Sequence, residues 1–86
     1  MIPNELMENK IILHFEFKDT RKECLEVQKD TSLYELKEIL QDKFEVDAKK
    51  IRLVLIRNCK FHPLVGDAEI LKDFKIENMN NIFVGY

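Results

Sequence analysis

The sequence predicts an α+β domain in which a mixed sheet of four to five strands clasps one helix at about residues 32–44. Three observations predict it. Apolar side chains alternate with period two in KIILHFEF and again in KECLEVQ, which marks two half-buried strands. A single apolar stripe at helical spacing runs through LYELKEILQDKF. The 86 residues make one small domain, so the helix and the sheet must cover each other.

Residues 1–10 are polar and aperiodic and are expected to form a flexible lead-in to a domain spanning 11–86. In the first strand Ile11, Leu13, Phe15 and Phe17 share one face, and Ile12, His14 and Glu16 share the other. The polar run Lys18–Arg21 is short enough to join this strand to the next as a hairpin. In the second strand Leu25 and Val27 alternate with Cys24 and Glu26. Glu23 falls on their apolar side. A buried unpaired carboxylate is very costly, so Glu23 is expected to reach water at the open end of the sheet.

Ser32 with Glu35 three residues later forms a capping-box signature at the start of the helix. Leu33, Leu36, Leu40 and Phe44 recur at helical spacing, with Ile39 widening the stripe. The segment IRLVLIR is apolar and β-branched and reads as a third strand, with Leu53 and Leu55 on one face and Arg52 and Val54 on the other. Pro63 and Gly66 break the next stretch, which is expected to be an irregular excursion over 56–70 with one short edge strand near Phe61 or Leu64. LKDFKI reads as a tight turn anchored by Leu71, Phe74 and Ile76. A last strand, NNIFVGY, is expected to turn Ile82, Val84 and Tyr86 into the core and Phe83 and Gly85 away from it. The slot left for it is beside the first strand, in parallel, with the helix in the crossover.

Composition narrows the function. Basic and acidic residues are interspersed and the net charge is -2, which lacks the basic stripe of a nucleic-acid binder. No apolar run reaches membrane-spanning length, and MIPNELMENK has no apolar signal core, so the expected location is cytoplasmic or nuclear. Cys24 and Cys59 are too sparse for a disulfide scaffold and are expected to be reduced thiols.

In this order the pieces resemble ubiquitin and its relatives, the β-grasp fold. The resemblance covers residues 11–86. It rests on LEV at 25–27, the capped helix with Leu33, Leu36, Lys37 and Leu40, QDK at 41–43, and RLVL at 52–55. After a longer excursion it continues through Leu71, Asp73, Phe74, Ile76, Ile82 and Val84. Ubiquitin conjugates through a tail ending in two glycines, whereas Gly66 and Gly85 stand alone here. The resemblance therefore implies a non-conjugated protein-interaction module without catalytic or cofactor chemistry, acting as a monomer within a larger ubiquitin-system protein. A modifier whose tail lies outside this chain is one alternative. A domain binding Ras-type small GTPases through basic residues is another.

The positions of ubiquitin's recognition face fall on Lys18, Val54, Phe83 and Gly85. Val54 and Phe83 are expected to form an apolar partner-binding centre, since a solvent-facing Phe beside a Val invites cover, with Lys18, Arg52 and His14 as its rim. Weaker candidates are the C-x-x-H pair Cys59 and His62, which lacks the further ligands that zinc wants, and His14 facing Cys24 across the first hairpin. Arg21, Lys22, Lys49, Lys50 and Arg52 could steer an acidic partner, but neighbouring acids interrupt them.

Overall fold

The computed structural model describes residues 9–66 and 68–86. Of the lead-in expected over residues 1–10, residues 1–8 lie outside the described residues, and Lys10 already belongs to the first strand. Strand β1 spans Lys10–Phe17, β2 Lys22–Gln28, helix α1 Leu33–Phe44, β3 Arg52–Arg57, β4 Lys60–Leu64 and β5 Asn81–Gly85, with a 3₁₀ turn at Leu71–Phe74. The five strands form one sheet in the order β2-β1-β5-β3-β4. The β1–β5 pair is parallel, and β1–β2, β3–β4 and β3–β5 are antiparallel. The last strand thus enters between the two hairpins, beside β1.

Each element follows from local chemistry. The β1–β2 turn closes with the Phe17 N–H donating to Arg21 O, and Thr20 takes a left-handed φ of 75°. Asp19 Oδ1 accepts from the Arg21 N–H at 3.2 Å, the local bond that suits Asp to turns. At the start of α1 the Ser32 hydroxyl accepts from the Glu35 N–H at 3.1 Å, which satisfies one of the donors left free at a helix start. The Glu35 carboxylate in turn accepts from Ser32 Oγ at 3.1 Å. The helix stops where Glu45 adopts a left-handed φ of 57° and its N–H returns to Gln41 O.

Leu33, Leu36 and Leu40 of α1 are fully buried against Ile11, Leu13, Phe15 and Phe17 of β1, Leu53 and Leu55 of β3, and Ile82 and Val84 of β5. Burying each such side chain stabilises the fold by about 1.5–3 kcal/mol. Leu71 and Ile76 are buried, and Phe74 packs partly against the same core. The Leu71 N–H donates to Thr31 O at 2.9 Å and the Leu33 N–H to Glu69 O at 2.9 Å, so this turn is stitched to the start of α1. Glu23 pairs with Phe15 in register, is half-buried on edge strand β2, and makes no ion pair among the described residues.

One sequence expectation is sharpened and one, the placement of Tyr86, is corrected. The strand expected at IRLVLIR and the edge strand expected near Phe61 or Leu64 are present as β3 and β4, and Asn58 and Cys59, both with positive φ (52° and 61°), join them in a two-residue turn. That conformation matches the twist of paired strands and suits Asn. Pro63 is tolerated because β4 is an edge strand. Tyr86 is not in the core; it is 47% exposed. Strand β5 ends at Gly85, and Phe17, Phe44 and Val46 already close that end of the core. The Phe17 and Phe44 rings meet edge to face at 5.3 Å.

Candidate protein-binding face

Among the described residues, the helix packs on one face of the sheet and no element packs on the other. Alternation fixes which side chains it carries. Because Leu53, Leu55, Ile82 and Val84 point inward, Arg52, Val54 and Ile56 of β3 and Asn81, Phe83 and Gly85 of β5 point outward. Val54 lies directly opposite Phe83, and both are half-buried. The expected apolar centre is therefore assembled by a cross-strand pair. An ideal Cβ on Gly85 would lie 3.4 Å from Phe83 Cε1, so the missing side chain lets the Phe83 ring lean along the sheet over Gly85.

The β3–β4 hairpin enlarges this centre. Ile56 faces Phe61 and Val54 faces Pro63 in the β3–β4 register, so Phe61 and Pro63 join the outer face. Phe61 is 71% exposed. The continuous patch is Phe83, Val54, Ile56, Pro63 and Phe61. Sequence reasoning missed the last three as part of it because their placement depends on the turn. The usable signal was two residues, with Asn first, between RLVLIR and KFHPL.

The rim residues are placed unevenly. Arg52 lies opposite Gly85 at one end of the patch. Lys18 is exposed just past β1, and its Nζ donates to Tyr86 O at 3.0 Å. His14 lies in β1 opposite Cys24 on one side and Asn81 on the other. It is half-buried, and its Nε2 is shielded from solvent without a hydrogen-bond partner among the described residues. The β1–β2 half of the face is polar around it, with Glu16, Lys22, Cys24 and Glu26, the last in an ion pair with Lys10 at 3.6 Å.

The basic cluster does not form a single patch. Arg21 stacks on Phe17 at 4.8 Å, donates to Phe44 O and pairs with Asp19 at 3.0 Å. The Arg21 backbone N–H, and then its guanidinium, hold the Asp19 carboxyl below its ordinary pKa. Arg21 and Lys50 line one hollow beside Tyr86, whereas Lys49 lines another against Tyr34 and Gln41 of the helix. Lys22 sits on the far edge strand.

The thiols lie apart. Cys24 and Cys59 are both free and exposed, on the two outermost strands' side of the sheet and hairpin tip. Cys59 sits in the β3–β4 turn, so at least three strand spacings, about 14 Å, separate it from Cys24 on β2, well beyond disulfide reach. His62 lies opposite Leu55, while Cys59 occupies the turn. Among the described residues no three His, Cys, Asp or Glu side chains gather to hold a metal ion, and no helix is long and apolar enough to cross a membrane.

The sequence matches no protein-family model and no curated protein. Solved structures do match. The C-terminal ubiquitin-like domain of mouse tubulin-specific chaperone e superposes with a TM-score of 0.81 at 13% identity, covering 92% of this chain and 88% of that one. This chain is a ubiquitin-like β-grasp domain in fold. A ubiquitin-like domain of an Arabidopsis thaliana protein gives a TM-score of 0.78 at 20% identity over 88% of this chain and 76% of that one. A designed protein based on ubiquitin gives 0.72 at 16% identity over 88% and 87%. At such identities the likeness concerns the fold, and the working residues must be argued from the ubiquitin-like framework itself.

Proposed function

We propose that this ubiquitin-like domain is a non-conjugated protein-interaction module of a larger ubiquitin-system protein, and that it binds through the outer sheet face. Val54 and Phe83 form the apolar centre, with Lys18, Arg52 and His14 around it. The observation that carries this reading is the half-buried cross-strand pair Val54–Phe83 on the sheet face opposite the helix, continued by Ile56, Phe61 and Pro63 across three adjacent strands. A contiguous exposed apolar patch with a polar rim marks an interaction site, since leaving it in water has no compensating gain. Aromatic anchors of this kind carry a large share of binding energy. Two of the matched structures are ubiquitin-like domains named as parts of longer proteins, which supports the module reading.

The test is a lysate pull-down with the wild-type domain and a Val54→Glu/Phe83→Ala double variant as paired baits, both first shown to be folded by circular dichroism. The expected result is a set of proteins retained by the wild type and lost by the variant. Equal retention by both would move the binding site off this face.

A further inference from the structure

We infer that the chain pairs with a second copy of itself through the free edge of β2, antiparallel and centred on Cys24. This goes beyond the preceding reading, uses none of its residues, and departs from the monomer that the ubiquitin resemblance implies. Three features of the molecule lead to it.

The first is an unused row of backbone groups. The sheet has two edges, β2 and β4. In β4, Arg57 and Lys60 flank a two-residue turn and form a hydrogen-bonded pair, so the backbone groups of Phe61 and Pro63 point outward, and Pro63 has no N–H to offer. Strand β2 holds no proline and has no such block. The Phe17 N–H donates to Arg21 O and the Lys29 N–H to Asn9 O, which sets the β1–β2 ladder on the odd-numbered residues. The N–H and C=O of Lys22, Cys24 and Glu26 therefore point away from β1. All three residues are exposed, and no loop among the described residues bonds to these groups. A row of this kind is a template for another strand.

The second is charge. Lys22 and Glu26 lie two residues either side of Cys24, and the three side chains share the outer face. This pattern is its own complement. With Cys24 opposite Cys24 of the second copy, each Lys22 faces a Glu26, and all three N–H and C=O groups of both edges are used. Opposite charges directly across a strand pair stabilise it, and like charges destabilise it. Centring the pair on Lys22, Glu23 or Glu26 would oppose like charges. Centring it on Leu25 would set Lys22 across from Gln28, whose O already accepts from the Thr31 N–H at 3.1 Å.

The third is closure. The same patch serves both copies, so the contact is two-fold and ends at a dimer. Facing residues of a strand pair project to the same side, so the two sheets continue as one, with both helices on one side and both outer faces on the other. Phe83 on β5 and Val54 on β3 lie inward of the paired edge and stay open. The dimer thus presents two copies of that centre side by side, and a partner with two sites gains avidity. A contact of one strand pair is at the small end of protein interfaces, so the dimer is weak.

The experiment is sedimentation equilibrium of the 86-residue chain from about 10 μM to about 1 mM, the range of weak association. The mass should rise with concentration toward twice that of one chain. Lys22→Glu and Glu26→Lys each set like charges opposite one another at both ends of the ladder, and each should weaken the dimer about tenfold. The double variant Lys22→Glu/Glu26→Lys restores opposite pairs and should recover it. Circular dichroism checks that each variant is folded. A second readout uses the thiol oxidant diamide on the wild type. The facing Cys24 Cα atoms of the ladder are about 5.5 Å apart, within disulfide range. The two thiols give two protons and two electrons to the N=N bond of diamide, an S–S bond forms, and the reagent leaves as a hydrazine. The expected product is a Cys24–Cys24 dimer. Cys59, also free and exposed, is the control for random collision.

A mass that stays at one chain throughout, a dimer indifferent to Lys22→Glu, or a double variant as weak as the single ones would overturn the inference. Cross-links through Cys59 as frequent as those through Cys24 would overturn it too. The diamide readout needs no substitution, so it decides even where a charge reversal unfolds the chain. None of these results bears on the outer-face reading, because no variant touches Val54 or Phe83.

Discussion

Truncating neighbouring residues of one strand should give unequal losses of stability. Val54 and Leu55 are adjacent in β3 but face opposite sides of the sheet. Leu55 is buried under the helix, and Leu55→Ala removes packed methyl groups and leaves a cavity, a change that costs about 2–5 kcal/mol. Val54 is half-buried on the open face, and Val54→Ala removes two methyl groups that are only partly shielded, costing about 1 kcal/mol. A domain of this length is stable by about 4–13 kcal/mol, so the first change takes a large share of the total and the second a small one. Urea denaturation followed by circular dichroism measures both, and the slope should stay constant while the midpoint moves. Equal losses, or a larger loss from Val54→Ala, would mean that β3 is shifted by one residue. Such a slip turns every side chain over and would bury the proposed binding face.

Four further outcomes are expected. Ser32→Ala should cost about 1 kcal/mol and lower the melting temperature by roughly 4–8 °C, whereas an unchanged melting curve would deny the cap. Arg57→Met should destabilise the chain by about 1 kcal/mol and speed amide hydrogen exchange across 75–80, since its guanidinium ties β3 to that segment. The Asp19 carboxyl is held below its ordinary pKa when folded, so its stabilising contribution is complete above the unfolded value and is lost as pH falls through the folded one. The melting-temperature gap between wild type and Asp19→Ala should therefore persist at about pH 7 and close toward about pH 2; a gap independent of pH would refute the pairing. Alkylation without reductant should label both Cys24 and Cys59 in the native protein, and mass spectrometry would expose any disulfide as unlabelled thiols.

The sequence made β1 and α1 legible because each buries one face only, so its apolar period is clean, and Leu25 and Val27 marked β2 although Glu23 breaks its apolar side. The parallel placement of β5 beside β1 followed from topology, with one open slot and a helical crossover to fill. Strand β4 was half-legible. Phe61 and Leu64 marked it, but Pro63 read as a breaker, and its tolerance depends on knowing that the strand is at the edge. The turn at Asn58–Cys59 escaped notice because Cys is not a residue that announces positive φ. Missing that turn hid the enlargement of the candidate face by Ile56, Phe61 and Pro63. Tyr86 was misplaced by extending the alternation of β5 one residue too far. The pair Val54–Phe83 was legible because both residues lie in strands whose inward faces were unmistakable. The scattering of Arg21, Lys22, Lys49 and Lys50 was not legible, since it depends on how the turns and the helix end fold around Tyr86.

The most direct test of the central claim is chemical-shift mapping of the labelled domain with a partner recovered by the paired pull-down. The perturbed amides should cluster on Val54, Ile56, Phe61 and Phe83 and spare Tyr34, Lys37 and Gln41 on the helix. Perturbations centred on the helix, with β3–β5 silent, would contradict the assignment of the outer sheet face as the binding surface.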